Sequence, residues 1–215
     1  MALVAGRIER REIEAALVVS GEDGGPLVRQ TIAALLAGEA TRKDLKRAYA
    51  SLTIGSGGAA MVLCHADIAK RSHRLLGGVV RAATQHHELC SGGQTDGASG
   101  PLMDTDSEAL LHAGNTLAKE AWPAFLKELD WTAEDADRIV THQVGVAHKR
   151  LLFETLGLDH ARDFTTVETL GNIGSVSLPA TLTLGAREGF IQPGHRVAMQ
   201  GIGSGLHCMM LGLQW

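Results

Sequence analysis

No stretch of this chain approaches the roughly twenty consecutive apolar residues that a membrane-spanning helix needs, so no transmembrane helix is expected. The N-terminus, Met1-Ala2-Leu3-Val4-Ala5-Gly6-Arg7-Ile8-Glu9-Arg10-Arg11, carries its charges after a short apolar stretch, which is not the order of a secretory signal. There is also no basic stripe. Twenty Lys and Arg stand against 24 Asp and Glu, with both signs interspersed and a formal net charge of −4, which argues against nucleic acid or a membrane surface as partner. Cysteine is scarce, with three residues and no zinc-type pair, and the ten histidines contain no His-Glu-x-x-His. His86-His87, His65 with His73, and His142 with His148, six apart and off a single helical face, lack ligand spacing. No metal site is therefore expected, and unpaired thiols without an export signal point to a reducing cytoplasm.

What is present is a globular composition: 215 residues, 45% of them hydrophobic, enough for one large domain or two modest ones. Strand and helix alternate. Residues 1–11 have helical character, and Ala15–Ser20 is a short apolar run that predicts a buried strand. Leu27–Leu36 carries a helical stripe behind Pro26. Leu45–Tyr49 is ambiguous, and Ser51–Leu63 is small, glycine-studded and apolar on both faces, as suits a strand close to another backbone. Gly77–Thr84 predicts a strand, and Leu89–Ser107, rich in Gly, Ser, Thr and Asp, predicts a solvated loop. Helices are expected over Ser107–Leu129 and Thr132–Ile139, the second with an N-cap and acidic first turn in Thr132-Ala133-Glu134-Asp135. A short strand, Arg138–Thr141, then leads to a helix over Val146–Leu156 closed by Gly157. A small-residue helix follows over Ser175–Glu188, and Arg196–Gln200 and Leu206–Gln214 form a last hairpin.

Three polar, glycine-flanked turns punctuate this second half. They are Thr141-His142-Gln143-Val144-Gly145, Leu170-Gly171-Asn172-Ile173-Gly174-Ser175 and Gly201-Ile202-Gly203-Ser204-Gly205-Leu206. A neutral imidazole N–H and a carboxamide NH₂ both donate, so His142 and Asn172 suit one oxygen on which negative charge develops, such as a thioester enolate. The glycine turn offers a backbone N–H for a second oxyanion. Taken singly, His142 reads as a satisfied core histidine, Asn172 as a turn cap and the glycine turn as a tight hairpin. Three such turns in order favour catalysis. The Gly-x-Gly-x-Gly run is no dinucleotide fingerprint, because a strand and not a phosphate-facing helix follows it. Glu22 and Asp23 fit a solvated corner as well as a substrate contact. Lys149 and Arg150 fit a solvated pair as well as a CoA phosphate or carrier-protein contact.

In these segments the chain resembles the β-ketoacyl-ACP synthase III family of the thiolase superfamily. Leu111-His112-Ala113-Gly114-Asn115-Thr116-Leu117 resembles the helix start before the family's His motif. Gly171-Asn172-Ile173-Gly174-Ser175-Val176-Ser177-Leu178-Pro179, then Glu188-Gly189-Phe190-Ile191-Gln192-Pro193-Gly194, is similar to its Asn loop, following helix and hairpin entry. Ala16–Glu22 and Leu52–Leu63 resemble the last strands of its N-terminal half. The resemblance implies an α/β, thiolase-like fold with a complete C-terminal half at residues 76–215 and the last part of the N-terminal half at residues 1–75. It also implies Claisen condensation of acyl thioesters without a cofactor, with acyl-CoA and acyl carrier protein as partners and a dimeric assembly. His142 Nε2 and Asn172 Nδ2 would hold the enolate oxygen, and the turn at Gly203 and Ser204 would supply the amide for the other oxyanion.

Departures from the commonest synthase III pattern are Gly145 for Asn, Leu170 for His, and Ile202 and Ser204 in the final turn. They resemble the head-to-head acyl-CoA condensing enzymes of long-chain olefin biosynthesis. The family nucleophile is a cysteine opening a buried helix, and the corresponding helix ends near Arg11, so that Met1 falls downstream of the cysteine position. Cys64, Cys90 and Cys208 do not open helices and are not expected to replace it. The chain is accordingly expected to be an N-terminally truncated enzyme, inactive alone. The alternatives are a non-condensing subunit beside a Cys-bearing partner and an acyl-CoA-binding module.

Overall fold

A computed structural model of the protein describes residues 1–38, 40–69, 73–94 and 101–215. It has helices α1 (Ala2–Glu9), α2 (Gly25–Ala37), α3 (Arg42–Ala48), α4 (Ser107–Leu129), α5 (Val146–Leu156), α6 (Val167–Leu170) and α7 (Ser177–Arg187). The strands are β1 (Ala15–Asp23), β2 (Ser56–Cys64), β3 (Arg74–Ala82), β4 (Cys90–Gln94), β5 (Pro101–Thr105), β6 (Arg138–Thr141), β7 (Arg196–Gly203) and β8 (His207–Gln214).

The organising element is a four-stranded sheet in the order β3-β8-β7-β6, with β6 and β7 parallel and the other pairs antiparallel. Both faces are covered, and the period-2 alternation of side chains sorts its residues between two cores. Ile139, Ala198, Cys208 and Met210 pack with Leu117, Ala121, Trp122 and Phe125 of α4 and Phe153 of α5. Val140, Val197, Met199, Leu211 and Leu213 face Leu182 of α7, with Leu178 and Ala186 at its margin. The small residues of α7 let it also touch β2 on its far side. Sheet, α7, sheet and α4–α5 thus succeed one another as layers.

Most expected elements stand near their predicted bounds, and Ser107–Leu129 and Val146–Leu156 coincide with α4 and α5. Three expectations fail. Leu89–Ser107 is not merely a loop: β4 and β5 pair antiparallel from Cys90–Thr105 to Gln94–Pro101, and residues 95–100 lie outside the described residues. Turn-forming composition hid a hairpin that carries little apolar alternation. Thr132–Ile139 is not a helix, because the N–H and hydroxyl of Thr132 close on Asp135 at 2.8 and 2.9 Å and the chain straightens into β6. A helix start signal here ends after one turn.

The third failure is burial. β1 pairs with β2 along their whole length, but Leu17 and Val19 are 62% and 65% exposed and Val62 is 73% exposed. Only the opposite face, which carries Val18, Ala59 and Met61, is half-buried on the side of α7. The apolar run over Ala15–Ser20 predicted a buried strand, and among the described residues only one of its faces is covered.

Candidate active site

His142 follows directly on β6. Its N–H donates to the carbonyl of Gln200 at 2.8 Å, which extends the β6–β7 ladder by one bond, and the Val144 N–H then turns back to the His142 carbonyl at 3.1 Å. α5 begins two residues later, so His142 stands at the carboxyl edge of the parallel strand pair, where α/β sheets place ligands. The ring is half-buried. Burial, with a smaller contribution from the neighbouring His148, lowers its pKa to about 4. His148, in the first turn of α5, is itself pushed below the usual histidine range by burial. The site therefore holds a neutral imidazole at physiological pH, an N–H donor that carries no charge.

Asn172 is held by its backbone and by one end of its side chain. Its N–H donates to the Thr53 carbonyl at 2.9 Å and its own carbonyl accepts from Gly55 N–H at 2.9 Å, forming a bridge to the segment before β2. Oδ1 accepts the Gly174 N–H at 3.0 Å, which assigns the carboxamide orientation and leaves Nδ2 as the remaining donor. Two glycines make this loop possible. Gly171 has φ +68 and a Cβ there would lie 2.7 Å from the Thr53 carbonyl oxygen; Gly174 has φ +53 and a Cβ there would strike Glu22 Oε2. Glu22, ambiguous in sequence, thus packs its carboxylate against the Asn172 loop.

Gly203 closes the β7–β8 ladder opposite His207, and Ser204 lies in the turn beyond it; both are exposed. The ladder brings this turn to the same end of the sheet as His142. The turn is anchored by Leu206, which is buried and exchanges backbone hydrogen bonds with Ala83 at 2.9 and 3.3 Å.

Behind His142 runs a buried polar network with no counterpart in the sequence reading. Gln143 is buried; its Nε2 donates to the carbonyl and hydroxyl oxygens of Thr141 at 3.0 and 3.3 Å, and its Oε1 accepts from the N–H groups of Thr166 and Val167, each at 3.2 Å. The side chain of Asp163 is fully buried and pairs with Lys149 Nζ at 2.8 Å, with a further bond from the Thr165 hydroxyl at 3.1 Å. Burial raises the Asp163 pKa, and Lys149 and Thr165 oppose that shift. Lys149 is therefore committed to an internal ion pair, which corrects its reading as a solvated or phosphate-facing residue. Arg150 does remain exposed, 3.9 Å from Glu154.

None of the three cysteines lies within these turns, although Cys208 pairs in the β7–β8 ladder with Ile202 of the third. Cys64 ends β2, Cys90 opens β4 and accepts from the Thr105 hydroxyl at 3.5 Å, and Cys208 is buried in β8, where desolvation pushes its thiol up to about 11. Among the described residues no group of three His, Cys, Asp or Glu side chains is arranged to hold a metal, and no helix is long and apolar enough to cross a membrane.

Residues 126–215 match the family described as 3-Oxoacyl-[acyl-carrier-protein (ACP)] synthase III C terminal. An acyl-CoA:acyl-CoA alkyltransferase of Shewanella oneidensis is 38% identical over 99% of this chain, and one of Xanthomonas campestris is 35% identical over all of it. A β-ketoacyl-ACP synthase III of Jannaschia is 27% identical over 93%. The chain spans 62% of the length of the two alkyltransferases. Crystal structures of Xanthomonas campestris OleA superpose with a TM-score of 0.91 at 35% identity, over 99% of this chain and 60% of that one. One of them contains lauric acid and lauroyl-CoA. With these likenesses spanning the three turns, the chain belongs to the β-ketoacyl-ACP synthase III family of the thiolase superfamily, alongside the OleA-like condensing enzymes.

Proposed function

We propose that this chain carries the enolate-stabilising half of an acyl-thioester condensing acyltransferase. The observations that support it most are a neutral, half-buried His142 at the carboxyl edge of β6 and an Asn172 whose Oδ1 is occupied and whose Nδ2 is not. In the proposed site these two uncharged donors would share one oxygen, which favours the enolate over the ground-state carbonyl without protonating it.

In the proposed reaction a cysteine thiolate, absent from the three turns described here, attacks the carbonyl of an acyl-CoA and expels CoA thiolate. The second substrate is malonyl-ACP or another acyl-CoA. Its carbonyl oxygen accepts from His142 and Asn172 while the α-carbon loses carbon dioxide, or gives a proton to a general base that the three turns do not supply. The resulting enolate carbon attacks the cysteine thioester, and the oxyanion formed there rests on the amide of Ser204 in the turn after Gly203. Collapse expels the cysteine thiolate and leaves the new carbon–carbon bond. The substrates bring all the reacting groups, so no cofactor is invoked.

A cleft of about 730 Å³ between α2, α3 and the β4–β5 hairpin, lined by Ala34, Leu35, Leu102 and Met103, is our candidate for an acyl chain. The segment between α3 and β2 links it to the site. Ser51 donates to the Met103 carbonyl at 3.4 Å, and Thr53 holds the Asn172 backbone. Thioester chemistry and three free cysteines suit a reducing cytoplasm. We place the boundary between the two thiolase-like halves at residues 75 and 76. A division in this region is supported by β1 and β2 pairing only with each other among the described strands and by β3 belonging to the four-stranded sheet, although β3 itself begins two residues before that boundary, at Arg74.

The placement of the cysteines favours a second reading, in which the nucleophile comes from a Cys-bearing partner, and this chain alone binds acyl-CoA without condensing it. Malonyl-CoA decarboxylation tests the shared part of both readings, since it needs the enolate donors and no thiolate. The expected result is slow release of carbon dioxide, reduced about 10²–10³-fold in His142→Ala. Equal rates in the two folded proteins would refute the assignment.

A further inference from the structure

The two donors come from turns that are separate in sequence, yet enolate stabilisation requires them to hold a fixed relation. One side chain joins them. Gln143 is the residue after His142, and its carboxamide is buried and fully used. Nε2 grips Thr141 on the strand side of His142, and Oε1 accepts the two N–H groups that open α6. α6 is a single turn, and its last carbonyl-to-amide bond, Gly171 N–H to Val167 carbonyl at 3.0 Å, delivers the chain directly into Asn172.

The entry to α6 has no side-chain cap of its own. The Thr166 hydroxyl instead pairs with Thr181 of α7 at 2.7 Å. Gln143 thus supplies in trans the capping that the local sequence omits. A carboxamide meets this need because one end must donate to a carbonyl while the other accepts from amides. The buried Lys149–Asp163 pair lies beside the same segment, with the Thr141 hydroxyl reaching Asp163 Oδ1 at 3.5 Å.

We propose that Gln143 is a positioning residue that locks the His142 turn to the helix that leads into Asn172, so that the two enolate donors move as one body. This rests on the reading of His142 and Asn172 as the enolate site, but the lock itself is testable without turnover.

The test uses the full 215-residue chain and Gln143→Met, which keeps the volume and removes both hydrogen-bonding ends, with Gln143→Glu as the conservative variant. Ionised Glu keeps the acceptor for Thr166 and Val167 and loses the donor to Thr141; its protonated form regains both. Amide hydrogen exchange is read first. In Gln143→Met the amides of Val167, Gly171 and Gly174 should exchange at least about tenfold faster, while those of β7 and β8 keep their rates. Gln143→Glu should restore protection, more fully as pH falls and its carboxyl protonates. With malonyl-CoA as probe, Gln143→Met should lower kcat by about 10²-fold with KM little changed, the scale expected when reacting groups lose alignment. Unchanged exchange around Asn172 in Gln143→Met would overturn the lock, as would uniform acceleration across the sheet, which would mean general destabilisation. If His142→Ala decarboxylates as fast as the wild type while the exchange pattern holds, the functional reading fails and the lock stands.

Discussion

Acidification offers a direct test of the electrostatics at His142. Desolvation holds its pKa at about 4 in the folded chain, while an unfolded chain titrates near the ordinary value of 6.5. Between those values the unfolded state binds a proton that the folded state refuses. The stability contributed by neutral His142 is thus fully present above pH 6.5 and is lost as pH falls toward 4. The gap corresponds to about 3 kcal/mol in full, of which roughly 2 to 3 kcal/mol separates pH 7 from pH 4.5. His148, lowered by burial as well, adds to the same trend. Urea unfolding of the wild type and His142→Gln at both pH values isolates the first contribution: the variant should lack that part of the loss. Histidine NMR should show His142 still neutral at pH 5.5. A titration midpoint at 6 or above would refute the reasoning, and so would a variant that keeps the whole pH dependence, because the neutral donor would then not be enforced by the fold.

Other consequences are independent of that measurement. Gly174→Ala should cost about 1–3 kcal/mol in urea unfolding, since its left-handed backbone and Glu22 both oppose a side chain; a neutral result would mean that the loop relaxes freely. Lys149→Met leaves the fully buried Asp163 carboxylate without its cation and should destabilise by about 3–5 kcal/mol, with Asp163→Asn recovering part of the loss in the double variant. Phe125 is completely buried between Trp122 and Trp131, and Phe125→Ala should cost about 3–5 kcal/mol by the same assay. The exposed face of Leu17, Val19 and Val62 should drive concentration-dependent association in sedimentation experiments, which Val19→Lys weakens; a wild type that stays monomeric at high concentration would contradict this.

How far the sequence carried depended on where each element finds its cover. The β7–β8 hairpin and β6 are flanked by helices of this chain, so their apolar character and their burial agree, and α4 and α5 were legible to the residue. In β1 the same character misled, because Leu17 and Val19 are apolar without being covered here. Hydrophobicity reports what a strand is built to bury, not what lies across from it. The β4–β5 hairpin failed for the opposite reason: Cys90-Ser91-Gly92-Gly93 offers almost no apolar period, and its pairing with Leu102–Thr105 rests on backbone bonds.

At the site, residue types were legible and their mutual restraint was not. His142 and Asn172 stood out because each sits in a polar turn that contains glycine, and the chemistry of an N–H donor follows from the residue itself. Gln143 stood in the same quoted turn without a role, since its two acceptor bonds reach Thr166 and Val167, 23 and 24 residues away, and no local pattern announces such a cap. Glu22 was equally silent until the fold set it against Gly174. The consequence is an asymmetry in what substitutions report. A change at His142 or Asn172 removes a donor and tests the chemistry, whereas a change at Gln143 leaves both donors in place and tests whether their alignment is held by the backbone alone. If alignment were intrinsic to the two turns, the carboxamide between them would be a buried polar group with no task beyond its own satisfaction. Four hydrogen bonds from one buried side chain, two on each turn's scaffold, argue that it is not.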